Sequence, residues 1–243
     1  MCCFTRPVKQ VADTNIFARD SADGRQYLVY SMALAADEDL AMVLPLPVAK
    51  RSGEDAVRFI NLEGYSRFFD DLRAGFPDLR DLWRGLGGAA AGSTLKVVEV
   101  GSFEASFVPT VADFDRLDER FRMPAGVWDE LPTYRHFGFA VFKLKSGARK
   151  VHPMAFEFPR DRPEQLFFPT VHVHDGRVRK MAQFDHDLYC QVADDRRVPH
   201  WEESREPAGR FTKIDKAQGV LDPDATCWRD RIHGRHMNVD ILV

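Results

Sequence analysis

Two histidines separated by one residue, His172 and His174, are the strongest candidates for chemistry in this sequence. Residues two apart on a β-strand point to the same side, so the two imidazoles can reach one ion. Neutral imidazole is a common ligand of zinc, copper, iron and nickel. The pair therefore predicts a transition-metal site, although a histidine pair beside an Asp-Gly turn is also typical of a solvent-facing strand end.

Other nitrogen and sulfur donors in the sequence could complete this site. His186 and Cys190 are four residues apart and share a face if that segment is helical. Cys2 and Cys3 would add two thiols if the beginning of the chain folds back against the imidazoles. The predicted ligands of zinc or another transition metal such as copper are Cys2, Cys3, His172, His174, His186 and Cys190.

The thiol of Cys2 also supports a hypothesis of a different class. Removal of Met1 would leave a free α-amine next to this thiol, and the amine could serve as its base. The chain would then be an N-terminal-nucleophile amidohydrolase, with Cys2 as nucleophile and Arg19 supporting the substrate or the oxyanion. A third hypothesis is a non-catalytic binding or scaffold protein, so the sequence leaves open whether the chain is an enzyme.

A second histidine group lies near the end of the sequence. His233 and His236 flank Gly234 and Arg235 and follow Cys227 closely. Glycine weakens the helix that a pair of metal-binding histidines at this spacing would need. The group is therefore predicted to be part of a solvated polar segment.

The composition is that of a folded globular protein. Of the 243 residues, 44% are hydrophobic and 29% are charged, and the net charge of −3 argues against a nucleic-acid partner. The longest apolar run, Leu40–Val48, is far shorter than the roughly 20 residues that a membrane helix needs. No secretory signal is visible at the start. We therefore expect a cytoplasmic protein whose partner is an unknown small molecule or a metal ion, with neither nucleic acid nor a membrane involved.

Alternating apolar residues predict a chain rich in β-strands. Residues 15–19 and 26–32 are predicted to form a hairpin around an Asp-Gly turn, and residues 40–48 a buried strand. Residues 54–86 and 112–121 have the period of an amphipathic helix. Further strands are predicted over residues 95–100, 103–108, 137–145, 154–158 and 166–174, and residues 184–192 as a strand or a short helix.

These elements predict an α+β fold with a predominantly antiparallel sheet and a few helices. The stretch 85–93 is rich in Gly and Ala and is predicted to be a flexible linker between two halves. The N-terminal half, 1–84, would hold the hairpin and a helix, and the C-terminal half, 94–192, would be β-rich. Residues 193–243 would form a polar tail that wraps around the body.

Three groups of residues carry a likeness to a known family. They are a cysteine near the start followed by Pro7-Val8, Gln10 and Ile16-Phe17; the strand Asp39–Pro47 ahead of a helix; and Val100–Glu104 continuing through Tyr134, Gly138-Phe139 and His152–Phe158. With these features the chain resembles the bacterial family known as domain of unknown function 2330 over about residues 2–175. Typical members resemble exported proteins that start Cys-Gly-Gly-Phe-Phe-Cys, whereas this chain has Cys2-Cys3-Phe4. The resemblance implies an architecture and no activity.

Overall fold

The computed structural model describes residues 2–50, 52–77, 103–124, 126–193 and 196–243, and most of them lie in β-strands. This part of the chain contains fourteen strands and two short α-helices. The strands are β1 Cys2–Phe4, β2 Gln10–Asp20, β3 Arg25–Ala36, β4 Leu40–Leu46, β5 Arg58–Asn61, β6 Glu104–Val108, β7 Gly138–Leu144, β8 Gly147–Pro159, β9 Phe167–Phe168, β10 His172–Val173, β11 Met181–Gln191, β12 Glu202–Pro207, β13 Thr226–Met237 and β14 Ile241–Leu242. The helices are α1 Phe68–Ala74 and α2 Val127–Glu130. The prediction of a mixed fold made mostly of strands, with few helices, is confirmed.

Seven strands form the larger sheet, in the order β12-β13-β11-β2-β3-β8-β5. β2 runs antiparallel to β3 and parallel to β11, where Ile16 lies opposite Leu188. The centre of β2, residues 14–18, is almost completely buried. Because β11 and β2 are parallel while the other neighbours are antiparallel, the sheet is mixed and not antiparallel throughout.

Five strands form the smaller sheet, in the order β10-β1-β4-β7-β6, and β9 and β14 pair separately. β1 is parallel to β10 and antiparallel to β4. The seven-stranded and the five-stranded sheet each combine strands from before residue 78 with strands from after residue 102. The predicted linker 85–93 and the predicted strand 95–100 lie outside the described residues.

The hairpin of β2 and β3 forms where the sequence predicts it. In the turn the backbone is left-handed at Asp23, with φ 56°, and at Gly24, with φ 69°. Aspartate tolerates this conformation and glycine adopts it at no steric cost, so the Asp-Gly pair reverses the chain. A third left-handed residue, Asp13 at φ 49°, lies where the register of β2 shifts against β3.

Phenylalanine side chains pack between the seven-stranded sheet and the five-stranded sheet. Phe142 of β7 contacts Phe156 of β8, with ring centroids 5.8 Å apart, and it meets Phe59 of β5 edge to face at 5.7 Å. Phe142 and Phe156 are fully buried. Such rings remove a large apolar area from water, which explains where much of the chain's phenylalanine is used.

A second, smaller core lies on the opposite face of the larger sheet, beneath α1. Phe17 points to this face, because its neighbour Ile16 belongs to the other core. The Phe17 ring packs against Phe68 of α1 at 5.7 Å, and Phe69 of the same helix contacts Tyr189 of β11. The helix is thereby fixed to the centre of the sheet.

Two segments with a helical period form little α-helix. Within the described part of residues 54–86, the chain makes β5 and then the seven residues of α1. Residues 112–121 lie in two 3₁₀ turns that bury single rings, Phe114 and Phe121, instead of a continuous apolar stripe. No helix among the described residues is long and apolar enough to cross a membrane.

The segment predicted as a polar tail instead supplies strands to the larger sheet. β13 pairs with β11 from Trp228 to Met237, whereas β12 pairs with β13 only over its first four residues, Thr226–Arg229. In the described part of the chain, residues 230–237 therefore form an open sheet edge, and exposed polar side chains alternate along it. Within this edge Gly234 has a left-handed φ of 95°. Polar composition here reflects an edge strand and not a separate tail.

We predict that Phe156→Ala lowers the free energy of unfolding by about 3–5 kcal/mol, because it leaves a cavity between the sheets. Chemical denaturation followed by tryptophan fluorescence measures this change. Met237→Ala is the matched control, since Met237 is 65% exposed, and it should change stability by less than about 0.5 kcal/mol. Equal effects of the two substitutions would contradict the assignment of Phe156 to the core.

Candidate functional site

The beginning of the chain lies beside the paired histidines, as the metal hypothesis requires. β1 runs parallel to β10, with Cys2 opposite His172 and Cys3 opposite Val173. Cys3 is fully buried. Met1 and the side chain of Cys2 lie outside the described part of the structure.

Three imidazoles form a stack at this place, and we call His172, His174 and His186 the imidazole stack. The His172 ring lies 4.9 Å from the His174 ring, with an interplanar angle of 16°, and 4.9 Å from the His186 ring, at 25°. Phe184 also stacks on His172, at 4.5 Å, and Phe4 contacts His174 at 5.6 Å. The histidines therefore take part in an aromatic cluster.

A hydrogen bond within the stack fixes which nitrogens carry protons. The backbone N–H of Asp185 donates to Nδ1 of His186, so neutral His186 has its proton on Nε2. That Nε2 lies 3.2 Å from Nε2 of His172 and donates to it. His172 is then the acceptor and carries its own proton on Nδ1.

Burial keeps the imidazole stack uncharged. Desolvation lowers the pKa of His172 to about 3 and that of His174 to about 4, and it holds the pKa of His186 well below its usual value. Neighbouring imidazoles add to the effect, because a proton on one ring disfavours a proton on the next. The three rings are neutral at physiological pH.

The prediction of a zinc or copper site is wrong. Among the described residues, no group of three or more His, Cys, Asp or Glu side chains could hold a metal ion. In addition, the Nε2 atoms of His172 and His186 are already engaged with each other.

Cys190, another predicted ligand, lies away from the imidazole stack. It shares β11 with His186, so the helical alternative for this segment is wrong. Four residues along a strand span about 13 Å, compared with one turn in a helix. The Cys190 thiol is buried, and burial raises its pKa. Burial likewise raises the pKa of Cys227 to about 12, and neither thiol is in a disulfide.

Arg19, the second residue of the hydrolase hypothesis, lies in the larger sheet, whereas Cys2 lies in the smaller one. Its Nε donates to the carbonyl oxygen of Val220 at 2.8 Å, and its Nη2 donates to that of Gly219 at 2.6 Å. The guanidinium also lies over the ring of Tyr27. Arg19 thus fastens the loop before β13 to β2.

The second histidine group, around His233, belongs to β13. The His233 ring lies between two carboxylates of β11, with Nδ1 3.1 Å from Asp185 and Nε2 3.3 Å from Asp187. Nε2 of His236 donates to the backbone carbonyl oxygen of His233 at 2.9 Å. These contacts connect side chains along the open edge.

An apolar surface lies near the end of the chain, where no sequence motif indicates one. Among the described residues, the exposed large hydrophobic side chains are Met181, Met237, Val239 and Leu242, which we call the apolar corner. Met181 and Met237 lie directly opposite each other on β11 and β13. Three of the four fall within six consecutive residues, and this spacing is the signal in the sequence that could have indicated an apolar surface. Met181 and Met237 thus form an exposed apolar pair, with Val239 two residues further along the chain, and exposed apolar side chains that lie together are typical of protein-binding surfaces.

Comparison with known proteins identifies the fold. No family model matches the chain, and no curated protein matches it. Among solved structures, the crystal structure of baculovirus p35 is similar over 99% of this chain and 98% of p35, with 13% identity and a TM-score of 0.56. A mutated baculovirus p35 after caspase cleavage and the caspase-8/p35 complex are similar at 11% identity, covering 94% and 95% of this chain, each with a TM-score of 0.49. The chain therefore has a p35-like fold.

The described residues also correct the predicted function and partner. A metal-binding protein with a metal ion as partner is wrong, because these residues offer no metal site. The alternative of a non-catalytic binding or scaffold protein needs no such site.

Replacing His174 by Phe should make stability less dependent on pH. Below pH 6.5 the unfolded chain takes up a proton on this ring, whereas the folded protein does not until about pH 4. The free energy of unfolding of the parent therefore falls as the pH decreases through this window, by about 2 kcal/mol at pH 5 for this one ring. Phenylalanine preserves the stacking and sacrifices no hydrogen bond, since Nε2 of His174 has no partner among the described residues.

Urea denaturation at pH 7 and pH 5 measures this effect. The exposed His136 provides the control, because His136→Gln should leave the pH dependence unchanged. An equal loss of stability between the two pH values in His174→Phe and the parent would show that His174 is not buried in its neutral form.

We also expect Cys190 and Cys227 to resist alkylation in the folded protein. Both thiols are buried, and their raised pKa values suppress the reactive thiolate. Iodoacetamide at pH 8 followed by peptide mass mapping should label both in urea and neither in buffer. Rapid labelling of native Cys190 would contradict its position in the core.

Proposed function

We propose that this chain is a non-catalytic protein that binds another protein, and that its partner is a peptidase of the caspase class. The observation that carries the proposal is the agreement of fold with p35 over nearly the full length of both chains. The partner class comes from the caspase-8 complex of p35 and rests on likeness of fold.

The polar side chains that could act in catalysis support a binding role. The guanidinium of Arg19 is engaged with the backbone of Gly219 and Val220, and the thiol of Cys190 is buried. In the imidazole stack, His186 donates its Nε2 proton to His172, and burial keeps the three rings neutral. Within the described residues, these groups stabilise the fold and are not presented to a substrate.

The apolar corner offers a surface on which a protein could dock. Met237 is 65% exposed, Leu242 50% and Val239 49%. The flexible thioether of methionine adapts to a partner's shape, and covering such side chains removes apolar area from water. We place the contact with the partner here.

Three sequence-based predictions remain part of this proposal. A cytoplasmic location agrees with the unbridged thiols of Cys190 and Cys227, because oxidising compartments favour disulfides. The division into two halves at residues 85–93 and the resemblance to domain of unknown function 2330 also stay predictions. That resemblance adds no activity to the proposal.

The proposal is tested by mixing the purified chain with active caspase-8. We expect a stable complex in size-exclusion chromatography with light scattering, and a loss of peptidase activity that depends on the concentration of the chain. A dissociation constant below about 1 μM corresponds to roughly 8 kcal/mol of binding free energy, which is in the range of specific protein complexes.

Variants locate the contact and control for folding. Met237→Asp combined with Val239→Asp should weaken binding at least about tenfold, because each aspartate must be desolvated on docking. The control Thr133→Asp, also at an exposed position, should bind like the parent. If neither complex nor inhibition is seen at about 100 μM of chain, the proposed function is wrong.

A further inference from the structure

A cavity of about 460 Å³ opens beside β12 and β13, away from the imidazole stack and the apolar corner. Its size is in the range of ligand sites in proteins. It is lined by Pro77, His200, Glu202, Arg205, Arg229, Asp230 and Arg231. Three of these seven side chains are arginines, so guanidinium groups are the commonest polar groups of the lining.

Arg229 is the buried wall of this cavity, and we call the site the arginine cavity. Its side chain is 3% exposed, and the guanidinium lies over the ring of Phe76, 4.6 Å from the ring centroid. Nη2 donates to the carboxylate of Glu202. Nε and Nη1 have no hydrogen-bond partner among the described residues, although both atoms are buried.

Unpaired donors on a buried guanidinium are rare in folded proteins, because each one has given up its hydrogen bond to water. Asp230, the other carboxylate of the lining, accepts from the backbone N–H of Arg231 at 2.9 Å and makes no hydrogen bond to Nε or Nη1 of Arg229. Arg229 therefore carries two donors that no acceptor among the described residues uses.

Arg205 supplies a second, accessible guanidinium. It lies on β12, is exposed, and forms no ion pair with any of the residues that the structure describes. A ligand that enters the cavity passes this side chain. Two guanidinium groups that share one oxyanion are a common means of recognising a carboxylate.

We propose that the arginine cavity binds the carboxylate of an aspartate or glutamate side chain from an acidic segment of the protein partner, an inference that rests on the proposed function for the existence of that partner. Arg205, which is exposed and has no ion pair among the described residues, offers one positive charge, and this suits a singly charged carboxylate better than a doubly charged phosphate. The volume leaves room for the peptide on either side of the acidic residue.

The test uses a fluorescein-labelled octapeptide with blocked ends and one central glutamate among glycines and serines. In fluorescence anisotropy at about 50 mM salt, we expect it to bind about tenfold more tightly than the same peptide with glutamine. Binding should weaken as salt is added, because the attraction is between charges. Equal binding of the two peptides would overturn the proposal.

Two arginine variants connect the binding to the cavity. Arg205→Gln should reduce the affinity for the glutamate peptide to that for the glutamine peptide, and Arg210→Gln, an exposed arginine outside the lining, should leave it unchanged. Arg229→Gln should abolish the preference for glutamate where circular dichroism shows that it folds; Arg205→Gln decides the question if it does not. Full binding by a folded Arg205→Gln variant would exclude the arginine cavity.

Competition distinguishes the anion, and the caspase experiment distinguishes the two proposals. Acetate should displace the peptide at concentrations no higher than inorganic phosphate requires, whereas much stronger competition by phosphate would overturn the assignment to a carboxylate. Peptide binding without a caspase-8 complex would keep the cavity and reject the proposed partner. A caspase-8 complex without selective peptide binding would support the proposed partner and reject the arginine cavity as a carboxylate site.

Discussion

The parallel pairing of β2 with β11 is the contact on which the rest of the structure depends. It joins residues 14–19 to residues 186–191, and β11 in turn carries β13 and β12. Closing so long a loop is entropically costly, and the burial of Ile16, Phe17 and Leu188 on the paired strands offsets that cost. The imidazole stack, the apolar corner and the arginine cavity all include residues of the strands that this pairing brings into the sheet.

The imidazole stack shows how a protein can bury polar rings without a metal. His186 receives a hydrogen bond from the backbone and donates one to His172, and aromatic neighbours cover the ring faces. The cost of removing these nitrogens from water is thereby partly offset, and the neutral form is selected. His172 and His186 therefore have the sequence pattern of metal ligands, but they pack β10 of the smaller sheet against β11 of the larger one.

The sequence predicts the strands and the hairpin well, and the orientation of the side chains poorly. Strand content and the β2–β3 hairpin follow from alternation and turn residues. The closeness of the chain's beginning to His172 is a condition of the metal hypothesis and follows from no local pattern. Ring orientation does not, because an angle of 16° between two imidazoles is set by side chains from three strands. The periodicity over residues 54–86 predicts a helix, but the described part of this range, 54–77, contains a strand and a short helix, because tertiary packing overrides a local pattern. The polar composition of residues 193–243 predicts a tail, although β12 and β13 lie in this segment, because an edge strand leaves few buried residues to recognise.

The left-handed Gly234 in the open part of β13 has a consequence for how this molecule meets others. An uncovered strand offers its backbone to any passing chain, and proteins avoid such pairing by twisting or blocking the edge. Here the backbone leaves the extended conformation at Gly234, and the His233 carbonyl oxygen is occupied by the His236 ring. Intermolecular strand addition is discouraged along this stretch. Binding at this edge is therefore determined by exposed apolar side chains such as Met237 and not by backbone hydrogen bonds.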